Sequence, residues 1–123
     1  MTVFIAASYL QTGFKIADND WHHLCVVRSS FSLGNWEIYD NAELVASHEN
    51  HASSEYIRDG GVFCNIQEQD WVGGGFVLDE AFSGMMGMQY FYAYPLSSEQ
   101  VTGLYEGTNI PDDWVFNYQV YLN

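Results

Sequence analysis

Hydrophobic and polar positions alternate with period two through most of the chain, the pattern of half-buried strands rather than helices. Val3 to Ala7 is a short apolar run and reads as a strand. Phe14 to Ala17 reads as another, closed by the D-N-D of residues 18 to 20. In W-H-H-L-C-V-V, residues 21 to 27, His23, Cys25 and Val27 fall on one face and His22, Leu24 and Val26 on the other. Apolar groups on both faces predict a central strand covered on both sides. Gly34-Asn35 signals a turn, Trp36 to Tyr39 a strand, and Asp40-Asn41 a tight hairpin leading to a return strand at Leu44 to Ser47. Residues 48 to 56 are polar and read as a loop. Further strands are predicted at Val62 to Ile66, at Met86 to Tyr94 and in the tail after Asp113.

One segment breaks the period. In L-S-S-E-Q-V-T-G-L-Y-E-G, residues 96 to 107, Ser97 followed three positions later by Gln100 forms a capping-box pattern. Val101, Leu104 and Tyr105 make one apolar stripe, and Gly107 can stop the helix. Many short strands and one short helix near residues 97–106 predict an all-β antiparallel sandwich, in a single domain over 1–123.

Composition narrows the function classes. Sixteen acids against three bases give a formal net charge of −13. Nucleic acid is excluded as a partner, because phosphate binding needs a basic footprint. Anionic membrane surfaces are disfavoured for the same reason. No apolar run is long enough for membrane insertion. Cations, calcium above all, are the natural counterpart of such a surface, although the same charge also serves plain solubility. Aromatic residues reach 17% of the chain. Tyr90, Tyr92 and Tyr94 share a strand face, which predicts core or inter-subunit packing. Met85, Met86 and Met88 read as core fillers. The two cysteines, Cys25 and Cys64, can pair as one disulfide, although spacing alone does not decide it.

The densest candidate chemistry is Q-E-Q-D-W-V-G-G-G-F, residues 67 to 76. Three readings are open. In the first, Glu68 and Asp70 point the same way on an extended strand and share one calcium ion. The Gln69 carbonyl lies between them, and the glycines fold the loop back to bring Asp79 or Glu80 over the site. In the second, the two carboxylates are a glycosidase pair. That chemistry needs a positioned proton donor, and the third acid position of the related E-x-D-x-x-E pattern is Gly73 here. In the third, the stretch is a glycine-rich turn carrying solvated acids. His48 and His51 in H-E-N-H have zinc-like spacing, but a polar loop is the better reading. A Cys25 nucleophile beside His23 is likewise a weaker reading than a buried thiol or a disulfide.

In its motifs the sequence resembles the pentraxin domain, a jelly roll within the laminin-G and concanavalin-like group. W-H-H-L-C at 21 to 25, W-E-I-Y-D-N at 36 to 41, the acidic string at 67 to 76, A-F-S-G at 81 to 84 and P-L-S-S-E-Q-V at 95 to 101 follow the family order. With Trp114 and Tyr118 they cover most of residues 21 to 118. The resemblance implies a jelly-roll sandwich whose N-terminal portion is not in this chain. It implies calcium ligands at Glu68, Gln69 and Asp70, with Glu80 a further one; Asp79 is an auxiliary candidate from the loop reading alone. It also implies a non-enzymatic, extracellular or secreted recognition and adhesion domain, or the ectodomain of a larger protein. Its partners would be a glycan, a phosphate-bearing ligand or a protein, in a homo-oligomer or a larger assembly. The family places a cysteine partner for Cys25 in the absent portion, and Cys64 is the substitute available here. Val77 stands where the family carries an acidic ligand. That departure favours the alternative, a structural or self-assembly module that kept the fold and lost the metal.

Overall fold

The computed structural model describes residues 2–5, 8–29, 34–49 and 83–118, with the side chains of 2–5, 8–10 and 118 left aside. The chain divides into two compact units, Met1–Tyr56 with Tyr90–Asn117, and Ile57–Gln89 with Tyr118–Asn123. In chain order the strands are β1 (Thr2–Ile5), β2 (Ser8–Gln11), β3 (Leu24–Ser29), β4 (Asn35–Asp40), β5 (Glu43–His48), β6 (Gln89–Phe91) and β7 (Phe116–Tyr118). The helix α1 (Ser98–Glu106) lies between β6 and β7 in sequence. β1 and β2 form an antiparallel pair in register Thr2↔Gln11, and β6 pairs with β7. The described fold is strand-dominated with one short helix, as the periodicity predicts.

The centre of the first unit is the antiparallel sheet β3-β4-β5. Register runs from Leu24↔Asp40 to Ser29↔Asn35 on one side of β4, and from Trp36↔His48 to Asp40↔Glu43 on the other. The strand predicted over residues 21 to 27 starts later than expected and is not covered on both faces. β3 begins at Leu24, Trp21 is 65% exposed, and Val26 is 47% exposed. β4 is the middle strand among the described residues and the one buried on both faces: Trp36 and Ile38 on one, Tyr39 on the other. Its polar Asn35 and Glu37 hide this from a pattern count. Glu37 is accommodated because the Tyr39 hydroxyl donates to its carboxylate at 2.6 Å.

The β4–β5 hairpin turns on Asn41 and Ala42, with φ of 50° and 67°. Two consecutive left-handed residues are the signature of the two-residue turn that matches strand twist. Asn41 adds a side-chain lock. Its Oδ1 accepts from the His23 amide at 2.9 Å, and its own amide donates to the His23 carbonyl at 3.0 Å. The β3–β4 ladder is thereby extended one step beyond Leu24↔Asp40. Alanine gains nothing from the left-handed region, whereas glycine enters it freely. Ala42→Gly is expected to stabilise the protein by about 1 kcal/mol, read as a higher urea midpoint at unchanged slope.

Helix α1 follows its sequence signals closely. The Ser97 hydroxyl oxygen accepts from the Gln100 amide, and the Gln100 side chain accepts from the Ser97 amide at 2.8 Å. Gly107, at φ 67°, closes the C-terminus; its amide donates to the Leu104 carbonyl, and the Thr108 amide donates to the Gly103 carbonyl. These two bonds make a Schellman ending. Val101 is fully buried and, with Leu96, meets Val27 and Tyr39 of the sheet. Cys25, Tyr92, Tyr94 and Leu104 pack around this cluster. Tyr105, predicted within the apolar stripe, is half exposed and instead lies 5.9 Å from the His23 ring.

Three other expectations change. Residues 14 to 17 form no strand: Gly13 at φ 69° and Asn19 at φ 72° bend the backbone on either side of them. The unpredicted strand is the short S-Y-L-Q of β2, paired locally with β1. Met85 and Met88, expected in the core, are 75% and 62% exposed.

Candidate functional site

Glu68, Gln69, Asp70, Asp79, Glu80, Cys64 and His51 lie outside the described residues, as does the predicted strand at 62 to 66. Among the described residues no group of three or more His, Cys, Asp or Glu side chains is placed to hold a metal ion. Described instead is the framework of the first unit and the chemistry it carries.

Cys25 sits on the helix-facing side of β3 as a half-buried free thiol. Burial pushes its pKa up to about 11. A thiol held protonated at neutral pH is a poor nucleophile, which removes the physical basis for a Cys25–His23 dyad. His48 ends β5 rather than beginning a loop, and its Nδ1 lies 2.8 Å from the Glu49 carbonyl oxygen.

The tyrosines form a packed column rather than a free recognition surface. Tyr90 stacks on Tyr92 at 6.4 Å, and Tyr92 meets Tyr94 edge-on at 5.7 Å. Trp114 closes on Tyr90 at 5.7 Å. The hydroxyls are also engaged. Tyr92 donates to the Pro111 carbonyl at 3.1 Å and Tyr94 to the Asp113 carboxylate at 2.7 Å. The bond to Asp113 holds the Tyr94 pKa up at about 12, because ionisation would set two anions against each other. The column thus fastens the segment after the helix back onto the helix–sheet core.

Between that core and the start of α1 lies an open groove of about 420 Å³, lined by Val27, Ser29, Asn35, Glu37, Tyr39 and Ser98 among others. Apolar Val27, Pro95 and Leu96 share its lining with polar Ser29, Asn35 and Gln100. Burial, then the Glu37 hydrogen bond, raise the Tyr39 pKa to about 12, so its hydroxyl keeps its proton and stays a donor at neutral pH.

The arrangement that sequence reasoning missed centres on His22. Its Nδ1 lies 2.8 Å from Asp40 Oδ1 and its Nε2 lies 2.9 Å from Asp18 Oδ1. The hydrogen bond to Asp18, then that to Asp40, raise the His22 pKa above its usual 6.5. The same contact with His22 holds the Asp18 carboxyl below its usual value. His23, one residue on, goes the other way, because burial lowers its pKa. The i,i+4 spacing of Asp18 and His22 is visible in sequence; the proximity of Asp40 is not, since it depends on strand register.

Antiparallel strands with one short capped helix are the element content of an all-β sandwich-class domain. More specifically, the Pentaxin family profile matches residues 5–121, and the chain belongs to that family. It is 33% identical over 104 residues to a human neuronal pentraxin receptor, covering 85% of this chain and 21% of that protein. Human neuronal pentraxin-2 is 33% identical over 106 residues, with 83% and 24% covered, and human neuronal pentraxin-1 is 38% identical over 84 residues, with 68% and 19% covered. The chain thus spans about a fifth to a quarter of the length of these relatives. No solved structure matches it at a significant level. The fold class expected from sequence, an all-β jelly roll with one short helix, agrees with the strand-and-helix order described above and with the family. No helix among the described residues is long and apolar enough to cross a membrane.

Proposed function

We propose that this pentaxin-family chain is an extracellular, non-enzymatic recognition domain. It binds an anionic or hydroxyl-bearing ligand, a phosphate monoester or a glycan, through calcium held by Glu68, Gln69, Asp70 and Glu80, with Asp79 auxiliary. The observation that carries the reading is that the family match runs through residues 5–121 and so includes the acidic string at 67 to 80. The donor set is chemically apt. Calcium takes six to eight oxygens from carboxylates, amide carbonyls and water, and Glu68, Gln69, Asp70 and Glu80 supply those kinds. A calcium ion that keeps open positions can bridge protein carboxylates to ligand oxygens. In a chain of formal charge −13 it would supply the positive centre that an anionic ligand needs. The names of the relatives, a receptor among them, fit a recognition role. A homo-oligomer or a larger polypeptide is the expected setting.

A chromatographic comparison tests this. The protein should be retained on an immobilised phosphate monoester or on immobilised glycans in calcium buffer and released by chelator. Asp70→Asn should pass through in both. Retention that ignores the chelator, or no retention at all, would overturn the reading. Val77, an apolar residue at an acidic family position, favours a second reading, a metal-free self-assembly module. That module would show self-association in sedimentation that chelator leaves unchanged.

A further inference from the structure

His22 is bracketed by carboxylates on both ring nitrogens. Asp18 comes from the turn at residues 18 to 20, and Asp40 from the end of β4. A neutral imidazole carries one N–H and one lone pair, so it can donate to only one of these anions and must present its lone pair to the other. Only the imidazolium donates to both. The observed geometry, 2.8 Å and 2.9 Å to two aspartates, is therefore that of the protonated ring. We propose that His22 is a proton-dependent clip that fastens the Asp18–Asp20 turn to the Asp40 end of the β3–β4 hairpin.

The two contacts differ in exposure, and that sets which one opens. The Asp40 side chain is 14% exposed and the Asp18 side chain 51% exposed. When the ring loses its proton, the remaining N–H stays on Nδ1 with Asp40, because that carboxylate has less access to water. Asp18 is hydrated instead, and the turn is released. The Asp20 amide donates to the same Asp18 Oδ1 at 3.0 Å, so the oxygen that His22 holds in place is also the one that closes the turn. The Phe14 ring lies edge-on to the imidazole at 6.3 Å, which places the segment entering the turn against the clip as well. Among the described residues, the charged groups in contact with His22 are Asp18 from the turn and Asp40 from β4, and Asp20 and His23 are its nearest titratable neighbours along the chain.

The direction of the linkage follows. His22 has a folded pKa above 6.5, so its contribution is fully present below pH 6.5 and is lost as pH rises through the folded value. His23 acts in the opposite window: its folded pKa is below 6.5, so its contribution is present above pH 6.5 and is lost as pH falls toward the folded value. Opening of the clip is thus a neutral-to-alkaline event, separable from any acid effect at His23.

The test is NMR of the whole chain across neutral and mildly alkaline pH. Ring-nitrogen shifts follow His22, and exchange protection of the Asp20 amide, corrected for the intrinsic pH dependence of exchange, follows the turn. The expected result is loss of Asp20 protection with the same midpoint as His22 deprotonation. Asp18→Asn, at an exposed position, should move the His22 midpoint down and abolish the coupled change at Asp20. His22→Gln should make Asp20 protection independent of pH in this range. Asp20 protection that stays flat while His22 titrates would overturn the proposal. So would a His22 midpoint unmoved by Asp18→Asn.

Discussion

Trp36→Ala is expected to cost about 3–5 kcal/mol, the range for removing a buried large aromatic side chain. Trp36 sits on the middle strand of the three-stranded sheet and is only 2% exposed. The next residue on the same face, Ile38, is fully buried, so truncation opens a cavity beside a side chain with no solvent to fill it. The Arg28 guanidinium stands 6.0 Å from the indole centroid, directly across the β3–β4 pair. At that distance its cation–π share is about 0.5–1 kcal/mol, a minor part of the loss. Trp36→Phe keeps most of the volume and should recover most of the stability. Urea denaturation of the three proteins checks this; a Trp36→Ala midpoint within error of the parent would contradict the assignment of β4 as the two-sided core strand.

The second large effect is expected at Gly103, and its sign opposes helix propensity. Alanine in a helix interior is favoured over glycine by about 1 kcal/mol. Gly103, however, is buried, and a Cβ there would stand 2.8 Å from the Asn109 carbonyl oxygen and 3.1 Å from Asn109 Cβ. The obstruction is mainly backbone, and that backbone is fixed. The Thr108 and Asn109 amides both donate to the Gly103 carbonyl as the chain turns back over the helix end. Overpacking of this kind costs about 1–3 kcal/mol. It offsets the propensity gain and more, and Gly103→Ala should destabilise by up to about 2 kcal/mol. A stabilised variant in thermal denaturation would mean that residues 107 to 109 move aside easily, and that the Schellman ending is not a rigid feature.

These cases separate what the chain declares locally from what only pairing reveals. Helix α1 was legible because every signal lies within twelve residues: Ser97 and Gln100 at one end, Gly107 at the other, and Val101 facing in. The 35–48 hairpin was legible because Asp40-Asn41 announces its turn, although Ala42 as the second left-handed residue was not anticipated. Which of the described strands lies in the middle of the three-stranded sheet was not legible. Residues 21 to 27 look two-sided and Trp36 to Tyr39 look amphipathic, yet burial depends on which strand lies between two others. The alternation in Phe14 to Ala17 misled for a related reason: period two shows which residues could share a face, not whether a partner strand exists. The His22 clip needed the register His23–Asn41 and Leu24↔Asp40 before its third member came into reach. By contrast, the acidic string at 67 to 76 is legible as a string, because ligand type and glycine placement are local properties.

That string carries the account's central claim, and calcium titration by calorimetry tests it most directly. The parent chain should release or absorb heat in the micromolar-to-millimolar calcium range, where carboxylate-rich sites of this kind bind. Asp70→Asn, which keeps the shape but removes a charge, should abolish that heat or shift it to much higher calcium. No heat in either protein, or the same heat in both, would contradict a calcium site at Glu68, Gln69, Asp70 and Glu80.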